Sequence, residues 1–228
     1  MEESIIKPIA TMRSDFQTKF GIPRQSGLVD ELISTIVFEP EYRNPDMLRG
    51  LDGYSHLWLI WQFSANKDQS WSPTVRPPRL GGNTRMGVFA TRSPFRPNSL
   101  GLSCVKILRI EQTHDHGTVL HVGGADLMNG TPIFDIKPYV PYADCKENAT
   151  GGFTDTAGQF ILEVNFPDQL LKMLPEGKQA AAISVLRHDP RPSYHDDPER
   201  IYGLSFAGFN IRFQVCGEKL TVVDVTKE

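Results

Sequence analysis

The first two thirds of the chain breaks into short runs rich in Val, Ile, Leu, Phe and Thr, punctuated by Gly, Pro and Asn. The runs fall at residues 5–12, 31–38, 56–63, 86–91, 100–111, 118–123 and 131–136. Closely spaced short strands favour a barrel or a sandwich. The stretch from Leu100 to Val122 reads as a hairpin with His114-Asp115-His116-Gly117 at its turn. With 228 residues, 39% of them hydrophobic, the chain can bury a substantial core.

Around residues 148–158 the composition shifts to Ala, Thr and Gly, which places a boundary between residues 1–150 and residues 151–228. Beyond it, residues 168–174 and 178–187 read as two short helices, the first with Asp168 as its N-cap. Pro190 and Pro192 then push the chain out of helix. Residues 201–206, 210–216 and 220–225 look like a terminal β meander. The expected class is mainly β: a β-barrel domain with a small C-terminal α+β appendage.

Charge is distributed unevenly. Between Asp68 and Glu111 there is no acidic residue, yet Arg76, Arg79, Arg85, Arg92, Arg96, Lys106 and Arg109 lie there, in a chain of formal net charge −3. Pro and Gly hold the arginines in loops, and a guanidinium fork on a stiff loop suits phosphate or carboxylate. A solvated basic surface balanced by acids elsewhere is the alternative. Because the whole chain is not basic, any nucleic-acid binding must be local to this segment.

Three cysteines, Cys104, Cys145 and Cys216, are far apart and odd in number, which argues for reduced thiols and a cytoplasmic protein. The start, Met1-Glu2-Glu3, lacks a basic region followed by an apolar run. The longest apolar stretch, Leu57 to Trp61, is too short to span a bilayer, so no membrane partner is expected. A metal pair from His114 and His116 has no nearby Cys to support it, and no metal is expected.

No strand–GxGxxG–helix unit, Walker loop, Gly-x-Ser-x-Gly or His-Glu-x-x-His is present. What stands out instead is a series of polar clusters at the ends of the expected strands, which is how a barrel builds a ligand site. They are Pro23-Arg24-Gln25, Ser55-His56-Leu57-Trp58, Arg76-Pro77-Pro78-Arg79-Leu80-Gly81-Gly82-Asn83, Gly87 to Asn98, Asp126 to Pro132 and Asp135-Ile136-Lys137-Pro138-Tyr139. In this order they resemble the TsaA-like (TrmO) family of tRNA methyltransferases, from about Ile9 to Tyr142. Asp189-Pro190-Arg191-Pro192-Ser193-Tyr194 is similar to that family's C-terminal signature.

The resemblance implies a homodimeric β-barrel enzyme that uses S-adenosylmethionine to methylate the exocyclic nitrogen of threonylcarbamoyladenosine, with the anticodon arm of tRNA as partner. Carried over by position, it implies cofactor binding at Pro23, Arg24, Gln25, His56, Leu57, Arg92, Leu102, Asp126, Leu127, Met128 and Asn129. The chain departs from the family at Ser99, where proline is usual, and at Asn129, where aspartate is usual. A non-catalytic adenine-nucleotide or RNA-binding module is the alternative function.

A sulfonium methyl donor is already activated, so the protein's main task is alignment, which can supply up to about 7–11 kcal/mol. The acceptor nitrogen is conjugated to a urea-like carbonyl, so proton removal near the transition state helps. Asp126, His56, Asp135 and Tyr139 are candidates to accept that proton. Lys137 could stabilise charge on the carbamoyl oxygen or bind a substrate carboxylate. Asp126 and Lys137 are the catalytic residues expected. Duller roles stand beside these: a core histidine at His56, a turn at Asp126 to Gly130, a structural ion pair between Asp135 and Lys137, and core packing for Trp58, Trp61 and Trp71.

Overall fold

The structure, a computed structural model, describes residues 5–66, 70–156, 161–191 and 197–228. Pro8 has no N–H to give a ladder, so the first strand starts after it: β1 spans Ala10–Arg13. There follow β2 (Ile33–Phe38), β3 (His56–Gln62), β4 (Thr74–Val75), β5 (Met86–Gly87), β6 (Leu100–Thr113), β7 (Gly117–Gly123) and β8 (Pro132–Pro138). Six of these pair in the order β1-β2-β7-β6-β3-β8, and β8 returns to pair with β1, so the sheet closes into a barrel without open edges.

Period-two alternation decides which side chains fill the barrel. Along β3, Leu57, Leu59 and Trp61 are buried, whereas His56, Trp58, Ile60 and Gln62 face outward and are half-buried. Ala10, Met12, Ile36, Val105, Leu120, Val122 and Ile133 join the inner set from the neighbouring strands. The register pairs Trp61 with Gly101 and Trp58 with Cys104 on β6, and Trp58 with Lys137 on β8.

The strand expected at residues 86–91 is corrected to the two-residue β5 followed by a 3-10 turn at Val88–Ala90. Its partner β4 is flanked by Pro73 and Pro77, which have no N–H to extend the ladder. The excursion from β3 to β6 is therefore held by turns and a minimal ladder.

The C-terminal part contains α1 (Pro141–Asp144), α2 (Phe153–Thr156), β9 (Glu163–Asn165), α3 (Asp168–Leu171), α4 (Glu176–Arg187), β10 (Tyr202–Phe206), β11 (Phe209–Cys216) and β12 (Lys219–Lys227). Its sheet has the order β10-β11-β12-β9, with β9 parallel to β12. Pro167, not Asp168, is the N-cap of α3; Asp168 sits in the first turn, where its charge suits the helix dipole.

Phe16, Val29 and Leu32, from between β1 and β2, enter the core of this second sheet beside Ala182, Leu186, Leu204, Phe206 and Phe213. Lys178 also reaches Asp15 at 2.6 Å. The appendage is thus packed on the barrel's own N-terminal excursion. No described helix is long and apolar enough to cross a membrane.

Among the tryptophans, only Trp61 belongs to the core. Trp58 is half-buried on the outer face, and Trp71 is 57% exposed, which corrects the core packing expected of both. Trp71 lies in the excursion between β3 and β6.

Candidate active site

Loops from four parts of the chain meet over β3 and β6 and form a cavity of about 680 Å3. That volume falls within the roughly 300–1,000 Å3 of small-molecule sites. Ile60, Phe63, Leu100 and Leu102 supply apolar wall, and Pro23, Arg24 and Gln25 close one side. Arg92 and Arg96 come from the arginine-rich excursion. Asp126 is the one carboxylate among the described lining residues, against the cations Lys19, Arg24, Arg92 and Arg96.

The floor is built by a hydrogen-bonded chain. Trp61 Nε1–H donates to Ser103 Oγ at 2.9 Å, and the Ser103 hydroxyl donates to Asp126 Oδ1 at 2.6 Å. Both Trp61 and Ser103 are buried, so neither exchanges these bonds freely with water. Gly101 makes the arrangement sterically allowed: a Cβ there would lie 2.3 Å from Trp61 Cε2. Phe63 packs edge-on against the Trp61 ring at 4.4 Å.

Burial pushes the Asp126 carboxyl above its ordinary range, while the Ser103 hydrogen bond, backbone N–H groups and the Arg92 charge pull it partly back. The net direction is upward, towards a stronger base. Arg92 in turn donates to Gln25 Oε1, which links the excursion to the Pro23-Arg24-Gln25 loop. Arg24 donates to the Arg191 carbonyl at 3.4 Å, and Arg191 is paired with Asp189 at 2.8 Å. The C-terminal segment thereby touches the rim; Pro192, Ser193 and Tyr194 of its expected signature lie outside the described residues.

Of the residues expected from sequence, Pro23, Arg24, Gln25, Arg92, Leu102, Asp126 and Met128 line the cavity together. Others are placed elsewhere. The Leu57 and Leu127 side chains are buried in the barrel core. His56 bonds Ser55 Oγ at 2.9 Å and turns its ring edge to Tyr139. Asn129 accepts from the Ser14 N–H and donates to Gln17 Oε1, each at 3.3 Å, and the second bond needs the carboxamide that replaces the usual aspartate.

Lys137, expected beside Asp126 as a catalytic residue, is not among the residues that line the cavity. It lies on the outer face of β8 opposite Trp58, and its ammonium is 3.2 Å from Asp135. His114 bonds Asp115, and no group of three potential metal ligands occurs among the described residues.

Sequence reasoning missed Trp61, Ser103 and Gly101 as site residues. A small or polar residue at an inward position, as at Gly101 and Ser103, was the available signal, since a barrel core otherwise takes large apolar side chains there. Ser99 has φ of 42°, and its N–H donates to the Arg96 carbonyl at 3.1 Å. Proline has no N–H and holds φ at about −65°, so it could satisfy neither condition.

Residues 11–145 match the model of the tRNA-methyltransferase O N-terminal domain, and residues 160–228 that of the TrmO C-terminal domain. A protein of Escherichia coli (strain K12) named tRNA (adenine(37)-N6)-methyltransferase is 39% identical over 215 residues, 91% of each chain. One of the same name from Eikenella corrodens is 44% identical over 163 residues, 71% of this chain and 91% of its own. The crystal structure of TrmO from Pseudomonas aeruginosa superposes with a TM-score of 0.80 at 31% identity, covering 99% of both chains. By sequence and by fold, over both of its parts, this chain belongs to the tRNA-methyltransferase O family.

Proposed function

We propose that this protein is a tRNA methyltransferase that transfers a methyl group from S-adenosylmethionine to the exocyclic nitrogen of threonylcarbamoyladenosine beside the anticodon. The observation that carries the reading is the convergence of separate sequence clusters on one cavity where Asp126, the one acid among the described lining residues, is made more basic by burial. The names of the relatives support tRNA and its adenine as the acceptor, and a relative in Pseudomonas aeruginosa named Putative S-adenosylmethionine-dependent methyltransferase RcsF supports the donor.

The cavity suits the donor chemically. A zwitterionic, sulfonium-bearing nucleoside needs an apolar wall for its base, a cation for its carboxylate and an anion for its positive groups. Ile60, Phe63 and Leu102 offer the first, Arg92 and Arg24 the second, and Asp126 the third. The donor supplies a methyl group already activated on sulfur. The chain's own work is to orient the acceptor, exclude water and receive a proton.

The Asp126 carboxylate takes the proton from the acceptor N–H as the new carbon–nitrogen bond forms. Ser103 fixes the carboxylate's direction through Oδ1, and Arg92 limits how far its basicity rises. A homodimer belongs to the same reading. Leu102, 53% exposed at the rim, offers apolar surface for a second copy, and donor affinity should then fall when the protein is diluted. Affinity independent of concentration excludes that arrangement.

The deciding experiment is transfer of radiolabelled methyl from S-adenosylmethionine to tRNA from cells lacking this protein, followed by nucleoside mass analysis. Label on threonylcarbamoyladenosine is expected. Label on another nucleoside, or donor binding with no transfer, overturns the assignment.

A further inference from the structure

Trp71, Phe89 and Phe95 are 57%, 79% and 37% exposed, and all three lie in the excursion between β3 and β6. The backbone gathers them into one place. Ser72, next to Trp71, donates its N–H to the Phe95 carbonyl at 3.1 Å; Val88, next to Phe89, donates to the Pro73 carbonyl at 3.0 Å. The β4–β5 ladder, which pairs Thr74 with Gly87 and Val75 with Met86, continues directly from the second link. Three large aromatic surfaces are therefore presented to solvent from one small, cross-linked platform.

The platform adjoins the cavity, because Thr91, Arg92, Pro94 and Arg96 of the same excursion line it. Its charge is of one sign. No acid occurs between Asp68 and Glu111, Arg76 and Arg85 are exposed, and Arg85 is held against Thr74 Oγ1 at 3.1 Å. Exposed aromatic faces interleaved with arginines match a ligand that carries flat apolar rings on an anionic backbone. A duplex buries its base faces, so an unpaired loop fits and a helical stem does not.

Resting on the tRNA reading above, we infer that Trp71, Phe89 and Phe95 form a stacking platform for the unpaired bases that flank the target nucleotide, with Arg76 and Arg85 contacting the adjoining phosphates. The platform holds the loop open while the target base enters the cavity beside it.

The test uses the full chain with tRNA from cells lacking this protein, and compares Trp71→Ala, Phe89→Ala, Phe95→Ala, Trp71→Phe and Arg85→Ala. RNA affinity by fluorescence anisotropy, its salt dependence, donor affinity, methyl transfer and oligomeric state are measured on each. Each aromatic-to-alanine change should weaken RNA binding by about 5- to 150-fold with an unchanged salt slope. Trp71→Phe should stay near the parent. Arg85→Ala should reduce the slope of log affinity against log salt by about 1. Donor affinity should not move.

Alanine variants that bind RNA like the parent overturn the platform, as does a Trp71→Phe variant that is folded yet as weak as Trp71→Ala. Loss of self-association in parallel with RNA affinity also overturns it, because the surface then joins two copies of the chain. Methyl transfer by the parent with unaffected variants leaves the proposed reaction standing without the platform. RNA binding weakened as expected, but with no transfer by the parent, leaves the platform standing without the reaction.

Discussion

Two tryptophans of β3 lead to two aspartates, on opposite sides of the barrel wall, and the two carboxyl groups are shifted in opposite directions. On the inner side Trp61 reaches Asp126 through Ser103. On the outer side Trp58 Nε1–H donates directly to Asp144 Oδ2 at 3.1 Å, and the Val140 N–H donates to the same oxygen at 2.8 Å. The Val140 and Trp58 hydrogen bonds pull Asp144 below its ordinary range, whereas burial pushes Asp126 above. Both carboxylates accept hydrogen bonds, so hydrogen bonding does not separate them; desolvation does. A strand with alternating faces can therefore support one acid shifted down by hydrogen bonds and one shifted up by burial.

The largest expected effect comes from removing the tuned acid. Asp126→Asn should lower kcat by about 10²–10⁴-fold at saturating donor, because a carboxamide cannot accept the proton. A loss confined to KM would reduce Asp126 to a binding residue. The two acids also predict opposite pH dependences of stability. Because Asp126 has a raised folded-state pKa, its contribution is fully present below the ordinary value of 3.8 and is lost as pH rises through the folded value. Asp144 is lowered, so its contribution is present above that ordinary value and is lost as pH falls through the folded one. Thermal melts across pH should show Asp126→Asn removing the first decline and Asp144→Asn the second.

Next in size is the steric support of the inner side. Gly101→Val drives a side chain into the Trp61 ring and should cost about 1–3 kcal/mol of stability by overpacking, read as a lower denaturation midpoint. Activity should fall with it, since the displaced indole no longer directs Ser103. An unchanged midpoint would mean that the Trp61–Ser103–Asp126 chain is not rigidly packed.

Much of the fold was legible because alternation survives in a barrel. His56–Gln62 and Leu100–Thr113 lie within or close to the runs of β-rich residues, and the hairpin turn at His114 to Gly117 is where its turn-forming residues put it. The cavity was legible in part for a different reason: clustered loop motifs name the rim, and Arg92, Gln25 and Asp126 do meet there. Its floor was not, because Trp61, Gly101 and Ser103 are brought together only by strand register, which no local pattern reveals. The place of Lys137 is likewise set by register: its cluster with Asp135 and Tyr139 looks chemical, and β8 puts it opposite Trp58, away from the residues that line the cavity.

A smaller effect tests the link rather than the acid. Ser103→Ala deletes a hydrogen bond to a charged group, worth about 1.5 kcal/mol at the low end, so kcat should fall roughly tenfold. That hydroxyl lowers the Asp126 pKa, so its loss should move the acidic limb of the rate profile to higher pH. Ser103→Thr, which keeps a hydroxyl, should recover the parent's limb. A tenfold loss with no movement of the limb would make Ser103 a packing residue only.

The smallest effect is expected outside. Lys137 and Asp135 form a pair 3.2 Å apart, with side chains 64% and 47% exposed, and exposed pairs contribute only about 0–1 kcal/mol. Lys137→Ala should therefore leave kcat within about twofold and stability within about 1 kcal/mol of the parent. A loss approaching that of Asp126→Asn would break the comparison at its root. It would mean that the outer face also meets substrate, through a loop movement or a second copy of the chain, and that isolation from the cavity in one protomer is not isolation from the reaction. Measuring Lys137→Ala at two protein concentrations separates those routes, since only a contribution across a subunit interface weakens on dilution.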